Sequence, residues 1–322
     1  MKKIEHTYNI KEMIKYPELF SRYSKDGDTY LTIETTGLSP ERHRIISISV
    51  GTISDDIIGI TTFFSDNKDD ELTIIEKGLD SLENSGRVIT WNGDSFDFRF
   101  LSRRGEEYGK KIPAITSYDL RRILSPLKRL LPDDSFSLYE LLEKMDITDS
   151  SIPDGRTLVT LYKTYIETGA DRYSAPIEKH SIYKLTGIMN LMCLQNCLKL
   201  NKASPVIEDI SATNEALNVK GTTDLFFPIE ITVSLPGIRI NFSKNSFSGS
   251  FTTYDGRIRM YFPDPSSYVR LKADSSLIPK ELSKSMSRSD YESVTKENCF
   301  SLVKIPREKK QLENYIRSLE KM

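Results

Sequence analysis

Residues 29–37 read TYLTIETTG, and this stretch decides the fold. The run of apolar and β-branched residues predicts a buried strand that enters a tight turn at Gly37. Because side chains alternate along a strand, Thr32 and Glu34 are predicted to project to one face, and their neighbours Leu31 and Ile33 to the other. One hydroxyl and one carboxylate therefore share a face of this strand.

Two more apolar runs, 44–54 and 57–64, follow this strand and predict a three-strand meander. Before it, only a helix over 10–21 and a turn at Asp26-Gly27 are predicted. After it, strand and helix alternate, with a predicted helix over 69–83, a strand over 87–92, and helices over 96–108, 120–131, 138–145, 156–167 and 176–200. This order predicts an α/β arrangement in which helices cover a mixed sheet.

The pattern of apolar and polar residues changes near residues 202–205. Beyond Gly221, short runs alternate between apolar and polar residues, which predicts a smaller, antiparallel β-rich module of the α+β kind. This module is predicted to contain a helix over 279–293, a strand over 299–305 and a closing amphipathic helix with Leu312, Tyr315, Ile316 and Leu319 on one face. The predicted domain organisation is a lead-in over 1–28, an α/β domain over 29–203 and a β-rich module over 204–322.

The composition of the 322 residues, 38% hydrophobic and 28% charged, is that of a globular protein with room for two domains. Lys and Arg number 45 against 46 Asp and Glu, so any nucleic-acid surface must come from local segregation of charge. Three cysteines argue against a disulfide scaffold, and Cys193 and Cys197 fit small buried residues of a helix better than a metal half-site. No run reaches the ~20 apolar residues of a membrane helix and the first residues do not resemble a signal peptide, so a cytoplasmic protein without membrane contact is expected.

Three short motifs occur in order along the chain: Thr-x-Glu-Thr-Thr-Gly from Thr32, Asn-Gly-x-x-Phe-Asp from Asn92, and His-Ser-x-x-Lys from His180. Together they resemble the YprB-like predicted 3′-to-5′ exonucleases, a branch of the DEDD superfamily with the RNase H-like fold. Residues 117–126 and 153–165 resemble the connecting helices of that family. Residues 256–271 and 290–300 resemble the carboxy-terminal extension of its clostridial and archaeal subgroup.

The resemblance implies a site in which four motif carboxylates bind two divalent cations, Mg²⁺ or Mn²⁺, for phosphodiester hydrolysis. Glu34 and Asp97 match two of these carboxylates and are the expected metal ligands. Thr32 and Lys184 stand where the other two are expected, and Ser181 replaces an asparagine of the third motif. We hypothesise that Lys184 occupies the space of a cation and pairs with Glu34 or Asp97.

Other side chains could complete a single metal site. Asp94 is a possible third ligand, although after Asn92-Gly93 it also fits a turn. Asp28 precedes the first strand, and Asp119 also fits the beginning of a helix. His180 lies one helical turn before Lys184 and is either a general base or a hydrogen-bonded wall residue.

A cluster of basic residues follows the second motif and predicts contact with nucleic-acid phosphates. Its members are Arg99, Arg103, Arg104, Lys110, Lys111, Arg121, Arg122, Lys128 and Arg129, with Asn92 beside them. Aromatic residues are interleaved and would offer stacking surfaces if exposed, or form a core stripe: Phe96, Phe98, Phe100 and Tyr108.

These observations favour an exonuclease-like nucleic-acid-binding protein whose metal site is degenerate and whose catalysis is lost or impaired. Its expected partner is DNA or RNA, as single strands or ends. One alternative is an active metal-dependent 3′-to-5′ exonuclease that uses Glu34, Asp97 and a substitute acid. Another is an interaction scaffold that binds a protein partner through residues 204–322.

Overall fold

The computed structural model describes residues 1–133 and 136–319, and the chain forms two compact units. The first contains Met1–Ser125 and Ser135–Gln195, and the second contains Pro126–Asp134 and Asn196–Met322. The end of the predicted β-rich module, residues 320–322, lies outside the described residues.

A six-stranded mixed sheet forms the centre of the first unit. Its strands are β1 (Lys2–Asn9), β2 (Asp28–Thr35), β3 (Ile45–Ser54), β4 (Ile57–Phe64), β5 (Arg87–Thr90) and β6 (Ser117–Asp119). They are arranged in the order β1-β4-β3-β2-β5-β6, in which β2, β5 and β6 are parallel and the other pairs are antiparallel. The predicted meander of β2, β3 and β4 and the predicted α/β fold class are confirmed.

The helices of this unit are α1 (Ile10–Met13), α2 (Pro17–Phe20), α3 (Glu71–Asp80), α4 (Asp97–Glu107), α5 (Leu120–Ile123), α6 (Leu138–Lys144), α7 (Gly155–Thr168) and α8 (Asp171–Leu191). Two predicted long helices are shorter, because α5 passes into a 3₁₀ helix at Ser125–Leu130 and α8 into one at Met192–Lys202. Pro126 explains the first change, since proline has no N–H and disfavours helical backbone in the preceding residue.

The amino-terminal segment differs from the prediction. Lys2–Asn9 forms β1 and pairs antiparallel with β4 over its whole length, from Lys2 opposite Phe64 to Asn9 opposite Ile57. Its exposed positions carry charged and polar side chains, so the sequence did not indicate an edge strand here. The predicted helix over 10–21 is broken into α1 and α2, and Pro17 begins the second helix.

Helices cover both faces of the sheet. Leu31 and Ile33 pack into a core shared with α3 and α4, where Gly78 lies so close to Ile48 that a methyl group on it would come within 2.7 Å of the Ile48 Cδ1. On the opposite face, Gly51 of β3 lies against α8 in the same way. The predicted alternation along β2 is confirmed, and it places Thr32 and Glu34 on the face that α8 covers.

The second unit is built from antiparallel strands. A five-stranded sheet has the order β14-β10-β9-β8-β7, and a three-stranded sheet has the order β12-β11-β13. The strands are β7 (Pro205–Ala212), β8 (Ala216–Leu235), β9 (Ile238–Tyr254), β10 (Arg257–Tyr261), β11 (Tyr268–Leu271), β12 (Leu277–Pro279), β13 (Tyr291–Ser293) and β14 (Phe300–Lys304).

The closing helix of this unit is present as α9 (Lys309–Ser318), and its predicted apolar face is buried. The helix predicted over 279–293 is wrong. That segment contains two short 3₁₀ helices, Leu282–Ser285 and Arg288–Asp290, between β12 and β13. Its serines compete for backbone hydrogen bonds, as Ser283 does by donating to the Lys280 carbonyl, so a continuous helix is disfavoured. In the described part of the chain, no helix combines the length and apolar character needed to cross a membrane.

Candidate nucleic-acid site

Three elements bring the motif residues of the first unit together. Glu34 lies near the carboxyl end of β2, Asp97 is the first residue of α4, and His180 and Lys184 lie one turn apart on α8. Because β2, β5 and β6 are parallel, their carboxyl ends meet at one edge of the sheet, where open α/β sheets commonly bind ligands.

Lys184 makes the central contact of this site. Its Nζ donates to the carbonyl oxygen of Ile33 at 3.0 Å and to Oε1 of Glu34 at 3.2 Å. Both side chains are largely removed from solvent, with exposed fractions of 20% and 11%. The pairing of Lys184 with Glu34 that the sequence suggested is therefore present.

Asp97 and Thr32 lie beside this pair. Asp97 is buried, and its Oδ1 accepts a hydrogen bond from the main-chain N–H of Ile33 at 3.1 Å. Thr32 is buried, and its hydroxyl has no hydrogen-bond partner among the described residues. A buried hydroxyl on the same face of β2 as Glu34 is thus left unsatisfied.

His180 joins the site to α6. Its Nε2 lies 2.7 Å from the hydroxyl of Tyr139, and the Tyr139 ring stacks on Tyr183. Its Nδ1 lies 3.2 Å from Oε1 of Glu34, but the ring is not aligned for a hydrogen bond with that oxygen. Both predicted alternatives for His180, a wall residue and a general base, stay predictions.

Burial and the ion pair set the charges of the site. Burial raises the pKa of Asp97 to about 6, and Lys184 opposes this effect. Burial also acts to raise the pKa of Glu34, but Lys184 and His180 outweigh it and the net shift is downward. Burial acts to lower the pKa of Lys184, and the carboxylates of Glu34 and Asp97 outweigh it. Lys184 and Glu34 are therefore both charged at neutral pH, and Asp97 changes charge near its pKa of about 6.

The donor set does not fit a pair of divalent cations. Two-metal chemistry needs several carboxylates to offset the repulsion between the cations. Here the ammonium of Lys184 occupies one side of Glu34, and Thr32 contributes a neutral oxygen. Within residues 1–133 and 136–319, no three His, Cys, Asp or Glu side chains are grouped as metal ligands.

The possible substitute acids are engaged elsewhere. Asp94 is exposed, accepts a hydrogen bond from Ser117 and lies 3.4 Å from Arg122. Asp119 caps the beginning of α5, which is one of the two roles predicted for it. Its carboxylate also accepts a hydrogen bond from the main-chain N–H of Asn92. The carboxylate of Asp28 is bound by Arg87 through two guanidinium nitrogens.

The structure divides the predicted basic cluster. Arg121 reaches Oδ1 of Asn92 at 3.3 Å, so these two residues and Arg122 come together at the ends of β5 and β6. Arg99 and Arg103 are exposed on α4 beside Glu41 and Glu106. Lys110 is paired with Glu76. Phe96, Phe98 and Tyr108 pack against the core next to buried Phe100. The aromatic residues therefore form the core stripe rather than stacking surfaces.

Arg104 differs from the expectation for a phosphate contact. It is 7% exposed, and its guanidinium binds both carboxylate oxygens of Glu71, at 2.8 and 2.5 Å. Arg104 lies four residues after Phe100 on the buried stripe of α4, and this spacing could have indicated its position. By contrast, nothing in the spacing of the sequence pointed to Tyr139 as the partner of His180.

Comparisons with known proteins agree with this fold. The RNase H superfamily model matches residues 29–195. An uncharacterized protein of Methanocaldococcus jannaschii is 35% identical over 101 residues, which are 30% of this chain and 53% of that protein, so the chain spans about half the length of this curated relative.

Solved structures align at lower levels of similarity. The family B DNA polymerase of Pyrobaculum calidifontis aligns with 14% identity and a TM-score of 0.42 over 54% of this chain and 25% of its own. Exonuclease I in its apo form aligns with 10% identity and a TM-score of 0.36 over 91% of this chain and 69% of its own. The family match covers more than half of the chain and includes all three motifs, and the chain belongs to the RNase H superfamily.

Proposed function

We propose that this protein binds nucleic acid at the carboxyl edge of its mixed sheet, and that the ion pair of Lys184 and Glu34 has replaced a metal site there. It is then a catalytically inactive or impaired relative of YprB-like exonucleases that acts in the cytoplasm. The observation that carries this proposal is the Lys184 ammonium placed 3.2 Å from the one carboxylate that the first motif retains.

Electrostatics supports this assignment. At a separation of 4 Å and an effective dielectric constant of 20, an ammonium and a divalent cation repel each other by about 8 kcal/mol. Glu34 and Asp97 alone cannot offset that repulsion as well as the repulsion between two metal ions. The alternative of an active exonuclease also lacks its substitute acid, because Asp94 is held by Ser117 and Arg122.

The nucleic-acid partner is proposed from the surface at the same edge. Asn92, Arg121 and Arg122 lie beside the ends of β5 and β6, and Arg99 is exposed on α4. Arginine side chains of this kind bind phosphates without reading sequence. A single strand or a strand end of DNA or RNA is the partner that this edge favours.

The catalytic part of the proposal is tested with labelled single-stranded DNA and RNA in Mg²⁺ and in Mn²⁺. We expect no degradation by the wild type, by Glu34→Ala or by Lys184→Gln, which removes the ammonium without adding a carboxylate. We expect activity only in Thr32→Asp/Lys184→Asp, which returns both acids. Wild-type activity that disappears in Glu34→Ala would overturn the proposal.

The binding part is tested by fluorescence anisotropy with the same strands in the absence of divalent cations. If arginines contact phosphates, the logarithm of the affinity falls linearly with the logarithm of salt concentration, by about 0.7 for each contact on a single strand. A wild type that binds neither DNA nor RNA would remove this part of the proposal.

A further inference from the structure

A basic cavity of about 360 Å³ lies in the first unit, and its lining includes Thr36 of the first motif but none of Glu34, Asp97 and Lys184. Its walls include four cationic side chains, those of Arg42, Arg44, Lys68 and Lys163. Thr36 and Tyr162 also line it. Its volume is in the range of small-ligand sites, about 300 to 1,000 Å³.

The cavity is linked to the candidate site through the end of β2. Thr36 follows the end of β2, two positions after Glu34. Its main-chain N–H donates to the carbonyl oxygen of Arg44, and its hydroxyl accepts from the main-chain N–H of Arg44. The Arg44 guanidinium is held by the carbonyl oxygen of Lys68 at 2.7 Å. The hydroxyl of Tyr162 donates to Ser65 on the far wall.

The charge of the cavity is not neutralised from within. Two carboxylates line it, and Glu71 is already bound by Arg104. No ion pair involves Arg42, Lys68 or Lys163 in the part of the chain that the structure describes. Among the described residues that line the cavity, Glu167 is the one carboxylate left for these three exposed cations, and an anion is the ligand that this lining favours.

The position of the cavity indicates which anion. It lies where β3 begins and β4 ends, and these points share the sheet edge at which β2, β5 and β6 end. Strands are spaced by about 4.8 Å, so β3 and β6 lie about 14 Å apart along this edge. Cations thus flank Glu34 on both sides, at Arg42 and Arg44 and at Arg121 and Arg122, as an extended polyanion requires.

We propose that this cavity binds a backbone phosphate of the same single strand that crosses the candidate site, with the exposed Arg42 and Lys163 side chains as its cationic contacts. This inference rests on the proposed nucleic-acid binding. Guanidinium groups suit phosphate because their planar N–H pairs match two of its oxygens. The free nucleotide is the other source of the same chemistry.

The test compares two double variants that remove the same charge. Arg42→Gln/Lys163→Gln removes two exposed cations of the cavity. Lys11→Gln/Arg22→Gln is the matched control, since both residues are exposed and lie near the turn between β3 and β4, at the opposite edge of the sheet. Binding of a short labelled single strand is measured over a range of salt, and binding of adenosine monophosphate is measured by calorimetry.

We expect the cavity variant to bind the strand about fivefold more weakly than the control, with a salt slope smaller by about 0.7 to 1.4. Equal binding by the two variants, with the wild type still binding, would overturn this inference and leave the proposed function standing. If the cavity variant lost only adenosine monophosphate, the cavity would be a nucleotide site and the strand assignment would be wrong. A wild type that binds no strand at all would overturn both.

Discussion

The ammonium nitrogen of Lys184 lies 3.2 Å from Oε1 of Glu34, so that one ion pair joins the longest helix of the first unit to its central strand. Because this pair is mostly buried, removing only one of its two partners is expected to lower the free energy of unfolding. The free energy of removal then includes the cost of leaving the other charge without its partner.

We therefore expect Lys184→Met to lower the free energy of unfolding by about 2 to 4 kcal/mol, since Glu34 is left buried without its cation. The double variant Lys184→Met/Glu34→Gln should lose less than the sum of the two single variants. Urea unfolding of all four proteins measures this coupling. Additive losses would show that the contact contributes nothing specific.

Asp97 predicts a dependence of stability on pH. Its pKa is raised by burial to about 6 from an ordinary value of 3.8, so the folded state keeps a proton that the unfolded state has released. The stability due to this proton is complete below pH 3.8 and is lost as the pH rises through about 6. The free energy of unfolding of the wild type should therefore fall by on the order of 3 kcal/mol relative to that of Asp97→Asn between about pH 4 and pH 7. A constant difference across that window would contradict the shift.

Arg104 and its neighbour Arg103 provide a comparison within one helix. Arg104→Met should cost about 3 to 5 kcal/mol, because it leaves the buried carboxylate of Glu71 without its bidentate partner. Arg103→Met, on the exposed face, should change stability by no more than about 0.5 kcal/mol. Thermal and urea unfolding measure both values. Similar losses in the two variants would place Arg104 at the surface.

Two glycines of helices predict opposite effects. An alanine at Gly78 would push its methyl group into the stiff, branched side chain of Ile48, and overpacking of this kind costs about 1 to 3 kcal/mol. This cost exceeds the gain in helix propensity of about 1 kcal/mol. Gly155 begins α7 with open space around it, so Gly155→Ala should raise stability by about 0.4 to 1 kcal/mol. Melting temperatures that moved in the same direction would contradict this contrast.

Much of the first unit could be predicted, because its signals are local. Alternation along TYLTIETTG placed Thr32 and Glu34 on one face, and the order of the motifs indicated the fold and the pairing of Lys184. The segment 279–293 could not be predicted, because short turns with many serines carry no periodic apolar pattern.

Tertiary contacts account for the rest. Tyr139 meets His180 only because α6 packs beside α8, and no spacing in the sequence encodes that approach. The basic cavity could not be predicted from the sequence for the same reason. Arg42 and Lys163 are far apart in the chain, and only the packing of α7 beside the end of β4 brings them to one opening.

The pairing of β1 with β4 has a consequence for solubility. β4 reads IIGITTFF, an uncharged and strongly β-forming segment whose backbone would be an open template for other chains if it stood at the edge of the sheet. β1 occupies that position instead and presents Lys2, Lys3 and Glu5 near the new edge. The eight residues of β1 thus shield the backbone of β4 from intermolecular strand addition.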